Sequence, residues 1–195
     1  RRFGGPLGRR REFNEQLVSR QETPALCNSG VRLFMVGMAK KVLLANQFGM
    51  LWEGVSADPV AAGAIGAWVG ACAYTLQIYF DFAGYSDMAR GLGRMLGFEF
   101  CINFNYPYIS KSVTEFWRRW HISLSTWFRD YVYIPLGGNR CGKIRQCVNI
   151  LVVWALTGFW HGAGWHFMFW GFYSGTLPLH ETLGSGKSLR QLPAQ

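Results

Sequence analysis

The stretch "PVAAGAIGAWVGACAYTLQIYF", residues 59–80, decides the fold class, because its 22 consecutive residues carry no charged side chain. An α-helix needs about 20 apolar residues to cross the ~30 Å hydrocarbon core of a bilayer, so this stretch is long enough to span it. Its alanines and glycines favour close packing against other helices within the membrane. The core helix of a large soluble protein can have the same composition, and this alternative stays open on the stretch alone.

A second apolar region, residues 146–180, contains no Asp, Glu, Lys or Arg. It is long enough for more than one membrane-crossing helix, but too short for two complete ones with a loop. We predict a helix over "CVNILVVWALTGFW", a loosened backbone at Gly162 and Gly164, and a second helical segment over "WHFMFWGFYSGTL". Such a break is tolerated at membrane depth where protein or a wet cavity surrounds it.

The segments around these two regions are amphipathic. Residues 31–52, "VRLFMVGMAKKVLLANQFGMLW", are apolar around a lysine pair and predict a partly inserted or interfacial helix. In residues 112–134, large apolar side chains recur at spacings of three and four, which predicts an amphipathic helix capped by Ser112 or Thr114. The predicted fold class is therefore all-α: a polytopic helical membrane protein with two crossings and interfacial amphipathic helices.

The charge pattern supports a membrane protein. The formal net charge is +9, and only 16% of the residues are charged, below the roughly 25% of an average soluble domain. The basic residues cluster between apolar segments, which is typical of the cytoplasmic flanks of membrane helices and not of a continuous nucleic-acid-binding stripe. We expect no nucleic-acid partner. The five cysteines form no C-x-x-C pair, so neither a disulfide framework nor a metal site is expected.

Several polar residues lie among apolar ones, and each has two interpretations. Asp81 and Asp87 either line a polar cavity or lie at a helix interface, with Asp87 as the cap of a following helix. Arg118 and Arg119, next to His121, either hold an anionic group or a polar acceptor, or extend their guanidinium groups from an interfacial helix toward water. The residues alone leave these alternatives open.

His161 and His166 lie in "TGFWHGAGWHFMFW", where no side chain is formally charged. Five residues correspond to about 500° on a helix, so the two rings do not share a face and do not form a metal pair on one helix. A neutral imidazole in an apolar cavity can accept a proton from a hydroxyl group. The alternative is that both are hydrogen-bonded packing histidines.

Three segments follow one another in fixed order: "DFAGYSDMARGLGRMLGF", "FWRRWHISLSTWFRDYVYIPLGG" and "TGFWHGAGWHFMFWG". Together they resemble the membrane-bound O-acyltransferase family, in particular its alginate O-acetyltransferase branch, which is related to the D-alanyl transfer protein of teichoic acid synthesis. The segment "GGPLGRRREFNEQL" near the start resembles the same branch. The resemblance implies a polytopic membrane enzyme that moves an acyl group from a thioester or carrier to a hydroxyl. We expect a partial acyltransferase domain over 1–180 and a polar tail over 181–195.

The resemblance also implies site residues. His161 matches the proposed catalytic histidine of the family, and His121 matches the second histidine of the branch, which lines the same reaction chamber. His166 is expected to line or pack the wall. Other residues expected in the chamber are Arg118, Arg119, Trp117, Trp160, Asp81 and Asp87.

The substrates and partners follow from the resemblance alone. The acyl donor is expected to be acetyl-CoA or another acyl thioester from the cytoplasm, with no bound cofactor and no metal. The expected partners are the lipid bilayer, periplasmic acetyltransferase proteins and a polysaccharide acceptor such as alginate, at the inner (cytoplasmic) membrane and with a multi-pass topology. A chain that begins at Arg1 is expected to be a fragment and inactive alone. The other hypotheses are a transporter or channel module, in which histidines relay protons, and a non-catalytic truncated membrane protein.

Overall fold

A computed structural model describes residues 10–19 and 22–184 and confirms the all-α class, since these residues contain helices and no strand. The polar tail predicted for 181–195 lies outside the described residues beyond Gly184, and so do residues 4–9 of the "GGPLGRRREFNEQL" segment. The α-helices are α1 Arg10–Ser19, α2 Pro24–Ala39, α3 Asn46–Ala57, α4 Pro59–Met95, α5 Val113–Arg119, α6 Ile122–Phe128, α7 Lys143–His161 and α8 Trp165–Gly184.

The helices divide between two compact units. The first unit ends at Phe104 and contains α1 to α4, with a π-helical segment Lys40–Ala45 that joins α2 to α3. The second unit begins at Asn105 and contains α5 to α8, with a second π-helical segment Arg129–Tyr133 after α6.

Helix α4 contains the stretch that predicts a membrane span. Pro59 occupies its first turn, and the side chain of Asp58 caps it by accepting a hydrogen bond from the backbone N–H of Ala61 at 3.0 Å. The helix has 37 residues and is kinked at Gly63, where φ is 62°. Among the described residues it is the one helix whose length and apolar composition suffice to cross a membrane. Helices α7 and α8, over the second predicted crossing, do not meet the same criterion.

Glycines set the distance between α2 and α4. A Cβ atom on Gly37 would lie 2.6 Å from the carbonyl oxygen of Gly84, and one on Gly30 would lie 2.6 Å from the carbonyl oxygen of Gly91. Because the lower number of one pair faces the higher number of the other helix, α2 and α4 run antiparallel. Only residues without a side chain permit this backbone-to-backbone approach.

Ion pairs join α4 to the π-helical segment that follows α2. Nζ of Lys40 lies 2.6 Å from Asp87, which also accepts a hydrogen bond from Arg90 at 3.2 Å, and Lys41 pairs with Asp81. The prediction that Asp87 caps a new helix is wrong, because α4 continues without interruption through Asp87 to Met95. Its carboxylate instead accepts from two cationic side chains.

The amphipathic helix predicted over 112–134 is broken in the structure. Helix α5 ends at Arg119, His121 adopts the left-handed conformation with φ 46° and ψ 53°, and α6 begins at Ile122. The apolar spacing holds on both sides of the break, so periodicity alone could not reveal it. The predicted cap is confirmed at Ser112, whose Oγ accepts a hydrogen bond from the backbone N–H of Glu115 at 3.0 Å.

Helices α7 and α8 pack closely in the second unit. A Cβ atom on Gly158 would lie 2.5 Å from the carbonyl oxygen of Phe167, and one on Gly171 would lie 2.6 Å from that of Trp154. Helix α7 ends at His161, and the chain turns through 162–164 before α8 begins at Trp165. This confirms the predicted break at the two glycines of "HGAG", and it places His161 at the end of a helix.

Candidate functional site

His161 lies in the last turn of α7, and its ring is held by the backbone of the same helix. Nδ1 is 2.8 Å from the carbonyl oxygen of Thr157, one turn earlier. A carbonyl oxygen can only accept, so Nδ1 must carry the hydrogen. In the neutral ring this leaves a lone pair on Nε2, and the residue is exposed within the chain. His161 is thus oriented to accept a proton at Nε2.

His121 lies between α5 and α6, at the left-handed backbone position. Its ring meets that of Trp160 nearly edge-on, with centroids 5.8 Å apart, and its Nε2 is buried. Burial, with His161 nearby as a second cause, lowers the pKa of His121 from its usual value near 6.5 to about 4. His121 is therefore neutral at pH 7, when one ring nitrogen can donate and the other can accept.

Two tryptophans contact the histidines, and two more contact one of these tryptophans. Trp160 contacts both of them, with its centroid 4.9 Å from that of His161, and Trp170 of α8 lies 4.8 Å from His161 on the centroid measure. Trp117 of α5 contacts Trp154 at 4.6 Å and Trp170 at 6.3 Å. We call this set the histidine–tryptophan cluster, with members His121, His161, Trp117, Trp154, Trp160 and Trp170.

The close approach of α7 and α8 builds much of this cluster. Because Gly158 and Gly171 bring the two backbones together, Trp154 and Trp170 come within 6.4 Å of each other. The backbone reversal at His121 gives its ring a direction that a continuous helix would not. Sparsely populated backbone conformations of this kind cost energy and concentrate at functional sites.

The cluster offers acid–base chemistry in apolar surroundings. The Nδ1–H of His161 is bound to a backbone carbonyl, so its Nε2 is the nitrogen that can accept a proton, and the Trp160 ring contacts both this imidazole and that of His121. In water-poor surroundings a hydrogen bond to a developing charge is stronger than in bulk water. Across residues 10–19 and 22–184, no three His, Cys, Asp or Glu side chains are grouped so that they could hold a metal ion.

The model of the membrane-bound O-acyltransferase family matches residues 5–183, nearly the whole chain. The chain belongs to the membrane-bound O-acyltransferase family. The resemblance seen in the ordered motifs is thereby confirmed, and with it the assignment to a family of membrane-bound acyltransferases.

Three relatives show which members of the membrane-bound O-acyltransferase family the chain resembles. The chain is 51% identical over 89% of its length to a probable alginate O-acetylase, AlgI, of Azotobacter vinelandii, and covers 35% of that protein. It is 42% identical over 78% of its length to a peptidoglycan O-acetyltransferase of Helicobacter pylori, of which it covers 29%. A teichoic acid D-alanyltransferase of Streptococcus thermophilus is 34% identical over 88% of the chain, which covers 45% of it. The chain thus spans about a third to just under half the length of these relatives.

The structure brings some of the predicted site residues together. Trp117 and Trp160 belong to the histidine–tryptophan cluster with His121 and His161. Arg119 is held within α5, with Nη2 2.8 Å from Glu115 and Nη1 donating to the backbone carbonyl of Asn105 at 3.2 Å. The neighbouring Arg118 is exposed. For both arginines the chamber role stays a prediction.

Asp81 and Asp87 lie in the first unit, in ion pairs with lysines of the segment after α2. Their role in the chamber also stays a prediction. His166 is exposed in the first turn of α8, where its ring contacts that of Phe167 with centroids 4.2 Å apart. That contact favours the packing role predicted for it.

Sequence reasoning missed two tryptophans of the cluster and the carbonyl that orients His161. Trp154 lies seven residues, or about two helical turns, before His161, so helical spacing could have placed both on one face. Trp170 could not be found in this way, because its contact with His161 depends on the packing of α8 against α7. The orienting carbonyl of Thr157 is a backbone group, which no side-chain pattern reveals.

Proposed function

We propose that the chain forms part of an acetyltransferase that passes an acyl group from a thioester donor to hydroxyl groups of an exported polysaccharide such as alginate. The similarity to the probable alginate O-acetylase of Azotobacter vinelandii supports this acceptor class. Similarity to a peptidoglycan O-acetyltransferase and a teichoic acid D-alanyltransferase supports the broader statement, transfer to a cell-surface polymer.

The observation that carries the proposal is the orientation of His161. Its Nδ1–H donates to the Thr157 carbonyl, and Nε2 keeps the lone pair that a general base needs. Nε2 takes the proton of the acceptor hydroxyl while the hydroxyl oxygen attacks the thioester carbonyl carbon. The C–O bond forms, the C–S bond breaks, and the departing sulfur takes the proton back from His161. The step needs no metal or redox partner.

His121 assists the same step in our proposal. Its low pKa keeps the ring neutral, so one nitrogen can donate a hydrogen bond to the acceptor or to the oxyanion that develops on the thioester carbonyl. Trp160, which contacts both imidazoles, shapes the space in which the acyl group is transferred. Arg118 and Arg119 are proposed to contribute positive charge at the chamber.

The membrane arrangement is also a proposal. Helix α4 crosses the inner membrane, and residues 146–180 form a second, broken crossing, which makes the protein multi-pass. The amphipathic helices lie in the interface, with the basic turn before α7 on the cytoplasmic side, where acetyl-CoA or another acyl thioester is available. The product passes to periplasmic acetyltransferase partners, which complete acetylation of the polymer.

Replacement of His161 tests the proposal. In cells that make the intact protein, His161→Ala should lower the acetyl content of the exported polymer by about 10²–10⁴-fold, the usual contribution of a general base. His161→Asn keeps an amide donor at the position of Nδ1 for the Thr157 carbonyl but has no base, so it should be equally inactive. His180→Gln, a change of an exposed histidine in α8, is the control and should retain wild-type acetylation.

The readouts are polymer acetyl content and turnover of the acyl thioester by the purified protein in lipid, with membrane insertion checked in parallel. For His121→Ala we expect a severe but incomplete loss. Wild-type acetylation by His161→Ala would refute the base assignment. Proton or solute flux without thioester turnover would instead indicate the transporter alternative.

A further inference from the structure

Glu181, in the last turn of α8, holds the N-terminal end of α5. One carboxylate oxygen accepts from the backbone N–H of Val113 at 2.7 Å. The other accepts from the backbone N–H of Thr114 at 3.0 Å and from its hydroxyl group at 2.6 Å. Three donors at the start of one helix therefore converge on a single side chain that comes from a helix 67 residues further along the chain.

Helix α5 depends on such contacts because it has only seven residues. Isolated helices shorter than about 12 residues are marginal in water, and the first N–H groups of any helix have no partner within it. Here Glu181 accepts from the first two N–H groups, and Ser112 accepts from the third, that of Glu115. Two side chains thus cap the N-terminal end of α5: Ser112 immediately precedes the helix, and Glu181 comes from α8.

Both ends of this connection reach the histidine–tryptophan cluster. Helix α8 carries Trp170, which contacts the ring of His161. Helix α5 carries Trp117 in contact with Trp170, and it ends just before His121. The carboxylate of Glu181 therefore fixes the helix that leads into His121 to the helix that packs against His161.

We infer that Glu181 is a positioning residue for His121: by clamping the start of α5 to α8, it sets the place of the second imidazole relative to the first. The inference rests on the proposed function for its effect on acyl transfer. The geometric link itself concerns only residues of the second unit and can be measured without any activity.

The test compares Glu181→Gln with Ser112→Ala. Gln has one acceptor oxygen and one amide nitrogen, so it cannot accept from all three donors of α5. Ser112→Ala removes a cap from the same helix end but leaves the connection to α8 intact. A residue that merely caps α5 would give the same result in both variants.

Two readouts separate positioning from capping. The first is the rate at which diethyl pyrocarbonate modifies His121 in the purified intact protein, resolved from the other histidines by peptide mass spectrometry. Glu181→Gln should raise this rate severalfold, and Ser112→Ala should leave it near wild type. The second is thioester turnover by the intact protein, where Glu181→Gln should lower kcat about ten- to a hundredfold with little change in donor KM, because a small misplacement of a reacting group is that costly.

Thr114→Val is the second variant if Glu181→Gln does not fold. It removes only the hydroxyl donor and keeps the shape of the side chain, so the same change in His121 modification is expected at smaller amplitude. Equal His121 modification in the Glu181 and Ser112 variants, or a wild-type rate in Glu181→Gln, would overturn the inference. Activity that survives His161→Ala would overturn the proposed function and leave the measured link between Glu181 and His121 intact.

Discussion

The polar side chains of the two units have different kinds of partner. In the first unit, Asp87 in the C-terminal part of α4 is paired with Lys40 and Arg90. In the second unit, His121 and His161 lie among tryptophans, and a backbone carbonyl fixes the proton of one of them. In the ion pair, the carboxylate oxygens of the aspartate already accept from cations. The carbonyl, in contrast, binds only one nitrogen of the imidazole and leaves the other with a lone pair that can accept a proton.

The comparison shows that a polar residue in apolar surroundings is an incomplete indication of function. Asp81, Asp87, His121 and His161 all satisfy it on sequence. What distinguishes them in the structure is the partner of each group. The carboxylates face cations across the α2–α4 contact, which favours a role in holding those segments together, and the histidines face aromatic rings.

The largest effect is expected from a change that separates α2 from α4. In Gly84→Leu the new side chain would start 2.7 Å from the carbonyl oxygen of Gly37 and 3.2 Å from the backbone nitrogen of Lys41. Backbone atoms cannot move aside as a flexible side chain can, so we expect a loss of about 3 kcal/mol or more in stability. Thermal unfolding followed by circular dichroism in detergent measures it.

The matched control is Gly54→Ala in α3, where the new Cβ would meet no atom within 4 Å apart from its chain neighbours and the backbone of its own helix. Alanine favours a helix over glycine by about 1 kcal/mol, so this variant should unfold at a higher temperature than the wild type. Two glycine substitutions in one unit are thus expected to have opposite signs. If Gly84→Leu unfolded at the wild-type temperature, α2 and α4 would not be held as close together as their glycines place them.

The next effect concerns the two aspartates. Asp87 is 16% exposed at its side chain and Asp81 is 48% exposed, so the two ion pairs should differ in strength. Asp87→Ala leaves two cations without this shared acceptor and should cost about 3 kcal/mol, whereas Asp81→Ala should cost about 1 kcal/mol or less. Chemical denaturation of both variants measures the difference.

The same two variants also test the prediction that Asp81 and Asp87 line the reaction chamber. If they act only through stability, thioester turnover by the folded fraction should stay at the wild-type level in Asp81→Ala. Loss of turnover at unchanged stability would support the chamber role that the resemblance implies. Equal destabilisation by both variants would contradict the distinction drawn from their exposure.

Much of the fold could be predicted, because it depends on local composition. The uncharged stretch at 59–80 gave a helix by length and apolarity, and "HGAG" marked the break between α7 and α8. The break at His121 could not be predicted. Nothing in the spacing of apolar residues around it differs from that of a continuous helix, and a left-handed residue is uncommon outside glycine.

The site was predictable only in part, for a similar reason. The two histidines and Trp117 and Trp160 follow from motifs in the sequence, since the family resemblance attaches to short ordered segments. Trp170 and Glu181 depend on where α8 packs, and the sequence gives no local sign of that. Contacts between residues distant in sequence are the part that required the structure.

The smallest effect concerns Tyr106 and His121, the two non-glycine residues with positive φ in the described part of the chain, at 45° and 46°. Glycine adopts this conformation without the cost of about 1–2 kcal/mol that a Cβ imposes, although its freer unfolded chain offsets about half of the gain. Tyr106 is 72% exposed, so Tyr106→Gly loses little packing and should be stabilised by a few tenths of a kcal/mol, up to about 1 kcal/mol. Tyr106→Ala removes the ring and keeps the strain, so it serves as the control.

His121→Gly relieves the same backbone strain, but it removes an imidazole ring that contacts Trp160 and whose Nε2 is buried. We therefore expect no stabilisation at this position, together with the loss of acyl transfer. Opposite signs for Tyr106→Gly and His121→Gly in thermal unfolding would show that packing around the imidazole is what holds the left-handed conformation at His121. Stabilisation of both by the same amount would mean that the ring contributes nothing to the fold, and that the strain at His121 persists only because the histidine is needed for function.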